Sequence, residues 1–200
     1  MQARTRARGA KAAATAARSV RPSSEEIDER ILDVAAGVFA QLGYAQASLQ
    51  SIADATGYSK TGLLHRFGSK EELRDAVRNR CLATLADAFE RASGRKAGAE
   101  RDRENVAAVV DLAMEHPGCV ALMLSGVTNP RTDDTAWVHH EVRDLVDAAF
   151  GMDDATPLAR RMRVVGSLGA LTVGAALTEE FPPHEVRAEL NATCCAALGI

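Results

Sequence analysis

The stretch from Ser48 to Leu73, SLQSIADATGYSKTGLLHRFGSKEEL, limits the possible folds most. It holds two short apolar-periodic runs, each opened by a serine and separated by Gly57. Ser48 precedes Leu49, Ile52, Ala53 and Thr56; Ser59 precedes Leu63 and Phe67. Serine is a strong helix N-cap, and glycine readily takes the left-handed conformation of a tight turn. Helices this short are not stable alone in water, so both need apolar surface supplied by flanking elements. The flanks can supply it. Upstream, Ser23-x-x-Glu26 forms a capping box before Ile27, Ile31, Val34, Ala35, Val38 and Leu42, and Gly43 stops the run. Downstream, Ser69-x-x-Glu72 opens a longer run through Leu73, Val77, Cys81, Leu85 and Phe89. Two short helices at a glycine turn between two amphipathic ones form the helix-turn-helix pattern.

The rest of the chain also reads as helix. Expected elements lie near Glu100–His116, Gly118–Gly126, Thr132–Phe150, Pro157–Leu177 and Pro183–Leu198, punctuated by Pro117, Asn129-Pro130, Gly151 and Pro182-Pro183. From Val164 to Leu177 the sequence is apolar all round, which predicts burial on every side. Gly166, Ala170 and Gly174 form a small-residue stripe there. Val165, Gly166, Gly169, Ala170, Val173 and Gly174, with Val186, Leu190 and Cys194 of the final helix, are the expected interface of a four-helix dimer. An ordinary intramolecular core is the competing reading of the same pattern.

Charge separates the two ends. Residues 1–80 carry 13 Lys/Arg against 9 Asp/Glu, whereas residues 81–200 carry 11 against 18, so the first part is +4 and the rest -7. A basic head on an acidic body points to a polyanion as partner of the head alone. Residues 1–22, with six basic side chains and no acid, read as a disordered basic arm. No run nears the roughly 18 apolar residues of a membrane span, and no secretory leader is evident, so a soluble cytoplasmic protein is expected.

The helix-turn-helix stretch resembles the TetR family of bacterial transcription regulators. Ile52, Ala53, Gly57, Ser59, Leu63, Phe67, Ser69, Lys70, Glu71 and Leu73 match its pattern, and Phe39-x-x-x-Gly43-Tyr44 fits the end of the preceding helix. The resemblance covers about residues 24–75. It implies an all-α chain: a three-helix DNA-binding domain over residues 23–70, then a helical ligand-binding and dimerisation domain over 71–200. The implied activity is that of a repressor, a homodimer on a pseudo-palindromic double-stranded DNA operator, released by a small-molecule effector. No motif asks for a cofactor.

The DNA-contact candidates follow from exposure on the third helix and from the resemblance. Lys60 can donate to guanine O6/N7, and the Thr61 methyl can meet the thymine methyl. Leu64, His65 and Arg66 share the outer side with Gly62, read either as close backbone approach to DNA or as drift at a tolerant position. Lys70 stands at a helix N-terminus suited to phosphate. Ser48 stands where the family has a phosphate-binding threonine, and Arg66 where a phosphate-binding histidine is frequent. Leu64 replaces the usual tyrosine, which removes a phenolic phosphate contact. Gln50 and Ser59 complete the set.

Other chemistry finds little footing. Lys60-Thr61-Gly62 and Ser93-x-x-Lys96 echo penicillin-binding enzymes, but in reversed order and with no S-D-N element, so no catalytic residue is expected. His139 and His140 are adjacent and diverge by about 100 degrees on a helix, which disfavours a shared metal. Met114, Met123, Leu124 and Trp137 are the candidate effector contacts, each equally readable as core. Cys81, Cys119, Cys194 and Cys195 read as buried small hydrophobes. Control by cysteine oxidation, without a small-molecule effector, is the alternative regulation.

Overall fold

In a computed structural model of the chain, the described residues are 22–128, 136–178 and 180–200, with the side chains of residues 127 and 128 not described. All but Pro22 of the expected basic arm, and the expected helix start near Thr132, lie outside them. The elements are α1 (Ser24–Gln46), α2 (Leu49–Thr56), α3 (Lys60–Phe67), α4 (Lys70–Ser93), α5 (Ala99–Glu115) and α6 (Pro117–Thr128). A π-helical turn over Val138–Val142 leads into α7 (Arg143–Ala149), followed by α8 (Leu158–Leu177) and α9 (Pro183–Leu198). The fold is all-α, as expected. Where periodicity suggested one helix ending near Phe150, the described backbone is helical from Ala136 to Ala149 but widens into a π turn over Val138–Val142.

The expected capping box at Ser23 forms in full, with Glu26 N–H donating to Ser23 Oγ at 3.1 Å and Ser23 N–H to Glu26 Oε2 at 2.6 Å. At Ser69 only half of it forms. Glu72 N–H donates to the Ser69 hydroxyl at 3.1 Å, but Ser69 N–H donates to Phe67 O at 3.0 Å. The α1 run breaks at Gly43, whose φ of 73° lies outside the helix. Its buried face differs from the expected stripe: Ile31, Ala35, Ala36 and Phe39 are buried, while Val34 and Leu42 are exposed. The reason is that α1 packs on two sides, against α2 and α4 on one and α6 on the other, which turns the helix about its axis.

The seam between α1 and α6 brings two backbones into direct contact. The Asp33 carboxylate accepts from Cys119 N–H at 2.9 Å and from Gly118 N–H at 3.2 Å, capping α6 from a neighbouring helix. A Cβ on Gly118 would lie 1.9 Å from the Asp33 carbonyl oxygen and 3.0 Å from Gly37 N, so only glycine fits. From this seam one contiguous core runs through Leu73, Val77, Cys81, Leu85 and Phe89 of α4 to Val106, Val109 and Val110 of α5. At the far end of the body, buried Asp102 pairs with Arg160 at 2.8 Å. Arg101, Asn105 and Arg160 donate to the terminal carbonyls of Ala148, Ala149 and Phe150, fastening α7 between α5 and α8.

The expected dimer face requires two corrections. Val186, Leu190 and Cys194 are buried within the chain itself, where α9 packs on α8 and α5. Ser167 Oγ donates to Cys194 O at 3.0 Å, and a Cβ on Gly174 would lie 2.7 Å from Leu190 Cδ2, so Gly174 also faces inward. Nor is α8 buried on every side. Val165 and Gly166 are exposed, as is Val173, while Gly169 and Ala170 are half-buried. Leu158, Met162, Val165, Val173 and Leu177, between 51% and 74% exposed, form a long outward apolar stripe on α8. Among the described residues no single helix is long and apolar enough to cross a membrane.

Candidate nucleic-acid interface

The geometry of α2 and α3 follows from their caps. Ser51 N–H donates to Ser48 Oγ at 3.0 Å and Ser48 N–H donates back to Ser51 Oγ at 2.9 Å, a box closed by a second serine. Gly57 ends α2 in the left-handed region at φ 73° and ψ 14°, where a side chain would be strained. The chain thereby turns into Ser59, whose Oγ accepts from Gly62 N–H at 3.0 Å to start α3. Ile52, Ala53 and Leu63 are buried beneath the turn, and Phe67 packs at its edge. With that side fixed inward, the opposite side of α3 must face solvent.

On that outer side Lys60, Thr61, Leu64 and His65 are exposed, and Gly62 and Arg66 are half-buried. Gly62 acquires a reading that the sequence did not suggest. A Cβ there would come within 3.1 Å of the Ser59 hydroxyl, so glycine leaves room for the cap. Ser48 and Ser59 are exposed at helix starts, but both hydroxyls already serve caps. The Gln50 amide nitrogen donates to Asp54 Oδ1 at 2.8 Å, which uses one of its two N–H groups and leaves the other, with the amide oxygen, to offer outward.

Two of the expected phosphate ligands have intramolecular partners. Arg66 donates to Asp28 Oδ1 at 2.5 Å and to Ser24 Oγ at 3.2 Å, tying the end of α3 to the first turn of α1. Lys70 Nζ sits 4.2 Å from the centroid of the Tyr44 ring, with the Arg74 guanidinium 4.9 Å from the same ring. The Tyr44 hydroxyl donates to Glu71 Oε1 at 3.1 Å. Backbone hydrogen bonding at the helix start, then this phenol, hold the Glu71 carboxyl below its usual range. Arg74 and the exposed Tyr58 of the turn join the surface although sequence reasoning passed over them. Arg74 was legible as the residue one turn beyond Lys70, whereas its ring partner lies 30 positions away.

The Arg66–Asp28 pair leads to a prediction. Asp28→Asn releases the guanidinium from its carboxylate and removes a negative charge from the head. Duplex DNA of any sequence should then bind more tightly, with a salt dependence steeper by about one unit per head. Fluorescence anisotropy over a salt series measures this. Weaker binding by the variant would mean that Asp28 holds Arg66 in its working position.

A cleft of about 400 Å³ opens where the head meets the body, between the end of α1, the first half of α4, α6 and the π turn. Of the four effector candidates only Trp137 is among its lining residues. Met123 is buried and Met114 half-buried against the core, and Leu124 is half-buried on α6. The walls are more polar than expected, with Arg74, Asp75, Arg78, His140 and Glu141 beside Phe39, Tyr44 and Leu122. No group of His, Cys, Asp and Glu able to hold a metal occurs among the described residues. Control by oxidation finds no support. Cys81, Cys119 and Cys194 are buried, and the hydrogen-bonded Cys119 thiol, followed by burial, pushes the Cys81 thiol far above its ordinary range.

Comparison with known proteins agrees with this geometry. Residues 31–77 match the family model described as bacterial regulatory proteins, tetR family. No curated protein matches the chain. Among solved structures, the TetR family transcriptional regulator PfmR of Thermus thermophilus is 23% identical at a TM-score of 0.60, covering 85% of this chain and 97% of its own. A putative fatty acid metabolism regulator of Clostridium perfringens is 16% identical at a TM-score of 0.62, covering 86% and 99%. AibR, solved with isovaleryl coenzyme A and operator DNA, is 18% identical at 0.52, covering 83% and 96%. At these identities the structural likeness is one of fold.

Proposed function

We propose that this chain, whose residues 31–77 match the tetR family model and whose fold is shared with solved TetR-family regulators, works as a homodimeric repressor on a pseudo-palindromic operator. The observation that carries the reading is the outer side of α3, where Lys60, Thr61, Leu64 and His65 stand exposed on a helix held by two serine caps and Gly57. Side chains on the first turns of such a helix reach base edges in the major groove, and flanking cations set the register on phosphates. Lys60 is the donor for guanine, and Thr61 and Leu64 offer methyl groups to thymine. Lys70 and Arg74 lie beside them at the start of α4 as backbone contacts, and Ser48 and Ser59 supply helix starts near phosphate.

The apolar stripe on α8 supports the dimer, because five large exposed side chains on one face leave an apolar surface that a second copy would cover. Two heads would then enter successive major grooves. The head–body cleft supports control by a small molecule, as does the likeness to AibR, a protein solved with both an acyl coenzyme A and DNA. Release requires that the ligand bind more tightly to a dimer whose heads are wrongly spaced, since equal affinity for both forms shifts nothing. The site of action is the cytoplasm, where the DNA is.

Selection of binding sites from random DNA by the purified full chain, at stated salt, tests this reading. A two-fold symmetric motif is the expected result. Lys60→Ala should relax one position of that motif, at about 1–3 kcal/mol of discrimination. Lys70→Ala should weaken binding to all sequences alike and flatten the salt slope by about one unit per head. If nothing is enriched, or if both variants select like the parent, the assignment of α3 as reading helix falls.

A further inference from the structure

The head–body cleft shows which chemistry it suits. Its α4 wall presents Arg74 and Arg78 one turn apart, in line with Lys70, and the Tyr44 ring lies against Lys70 and Arg74. Opposite stands the π turn Val138–Val142, a rare geometry that occurs mostly as single turns within α-helices and is frequent at functional sites. From this turn Glu141 engages the Arg78 guanidinium through both Nε and a terminal nitrogen, a two-point carboxylate grip. The pair is not buried, at 41% and 40% exposed, so a solute entering the cleft can reach it. Trp137, Phe39 and Leu122 supply apolar wall beside it. A volume of about 400 Å³ lies within the range of small-molecule pockets.

We propose that this cleft binds a monocarboxylate with a small aromatic or branched apolar body, whose carboxylate takes the fork of Arg78 in place of Glu141. The reading deepens the effector assignment above and rests on it. An anion is favoured over a cation because the α4 wall presents the Arg78 fork at the cleft with Arg74 one turn before it, and the carboxylate on the same wall, Asp75, is already paired with Arg74 at 3.0 Å. The planar fork of arginine matches a ligand carboxylate as well as it matches Glu141. The exchange frees Glu141, and with it the π turn, from α4. Because α4 begins at Lys70 in the reading head, cleft occupancy is felt at the DNA surface without passing through the distant core.

The single tryptophan of the chain, Trp137, lines the cleft and reports on it directly. The experiment titrates the full-length protein with 4-methylpentanoate, phenylbutyrate and naphthylacetate, each beside its neutral amide, and follows Trp137 emission. At least one acid should quench or shift the emission at a concentration about tenfold below its amide, the preference of a charge-assisted fork. Arg78→Gln should remove that preference, and Arg78→Lys should keep only part of it. Glu141→Gln should act in the opposite direction and tighten the acid, since it removes the internal competitor. Helical circular dichroism, unchanged in all three variants, separates these outcomes from misfolding. Acids that act no better than their amides, or an acid preference untouched in Arg78→Gln, would overturn the proposal. If DNA selection has meanwhile yielded a symmetric motif, the regulator reading stands while this one falls. Acid binding with no enriched motif would give the reverse.

Discussion

Gly118→Ala should destabilise the protein by about 3 kcal/mol, near the upper end of overpacking penalties. The added methyl would meet the backbone carbonyl of Asp33 at 1.9 Å, and a carbonyl within a helix has no other rotamer to take. Relief comes only by moving α6 away from α1, which also stretches the two hydrogen bonds from Gly118 and Cys119 to the Asp33 carboxylate. In a domain of this size the melting midpoint should fall by about 10 °C in a thermal scan. Gly94→Ala is the control, since nothing lies within 4 Å of its added Cβ and its φ of -72° suits any residue. A Gly118→Ala protein that melts with the parent would show that α1 and α6 do not meet as described.

The second large effect concerns the outward stripe of α8. If the proposed dimer pairs through this stripe, Val165→Glu and Val173→Glu together should leave the protein monomeric at micromolar concentration and lower affinity for the proposed operator by about 100-fold or more. Both side chains are more than half exposed in the single chain, at 57% and 51%, so the isolated fold should tolerate the change. Across a two-fold interface each carboxylate occurs twice, and burying unpaired charge there costs several kcal/mol. Analytical ultracentrifugation gives the state of assembly, and operator binding by anisotropy gives the consequence. A dimer that survives both substitutions would place the interface elsewhere on the molecule.

Legibility in the sequence divided along physical lines. The α4 stripe from Leu73 to Phe89 is buried at each expected position, because a single apolar face leaves no choice of side. The caps at Ser23, Ser48, Ser59 and Ser69 were equally plain, since capping is settled within four residues. Helices with two apolar sides were misjudged. On α1 the presence of α6 rotates Val34 and Leu42 outward. On α9 the stripe of Val186, Leu190 and Cys194 turns to its own core, and the exposed apolar stripe lies on α8 instead. Periodicity identifies a stripe but not the neighbour that covers it.

The candidate site shows the same division. Lys60, Thr61, Leu64 and His65 were placed on the surface by spacing alone, and they are there. The partners that restrain the surface were not legible. Asp28 is 38 positions from Arg66, and Tyr44 is 26 from Lys70; only the fold brings them together. The head–body cleft was the least accessible of all, since α1, α4, α6 and the π turn each contribute part of its wall.

Members of families with separable heads and bodies invite grafting, in which the reading head of one regulator is joined to the sensor of another. For this chain a cut near residue 70 would leave Asp33 in the donor head and Gly118 in the recipient body. Those two residues fit as a matched pair, a carboxylate that caps a helix and a glycine that lets the backbones close. A chimera therefore needs position 118 glycine in the body and position 33 acidic in the head, whatever operator and ligand are being combined. Compatibility between modules is set at a contact that touches neither operator nor ligand.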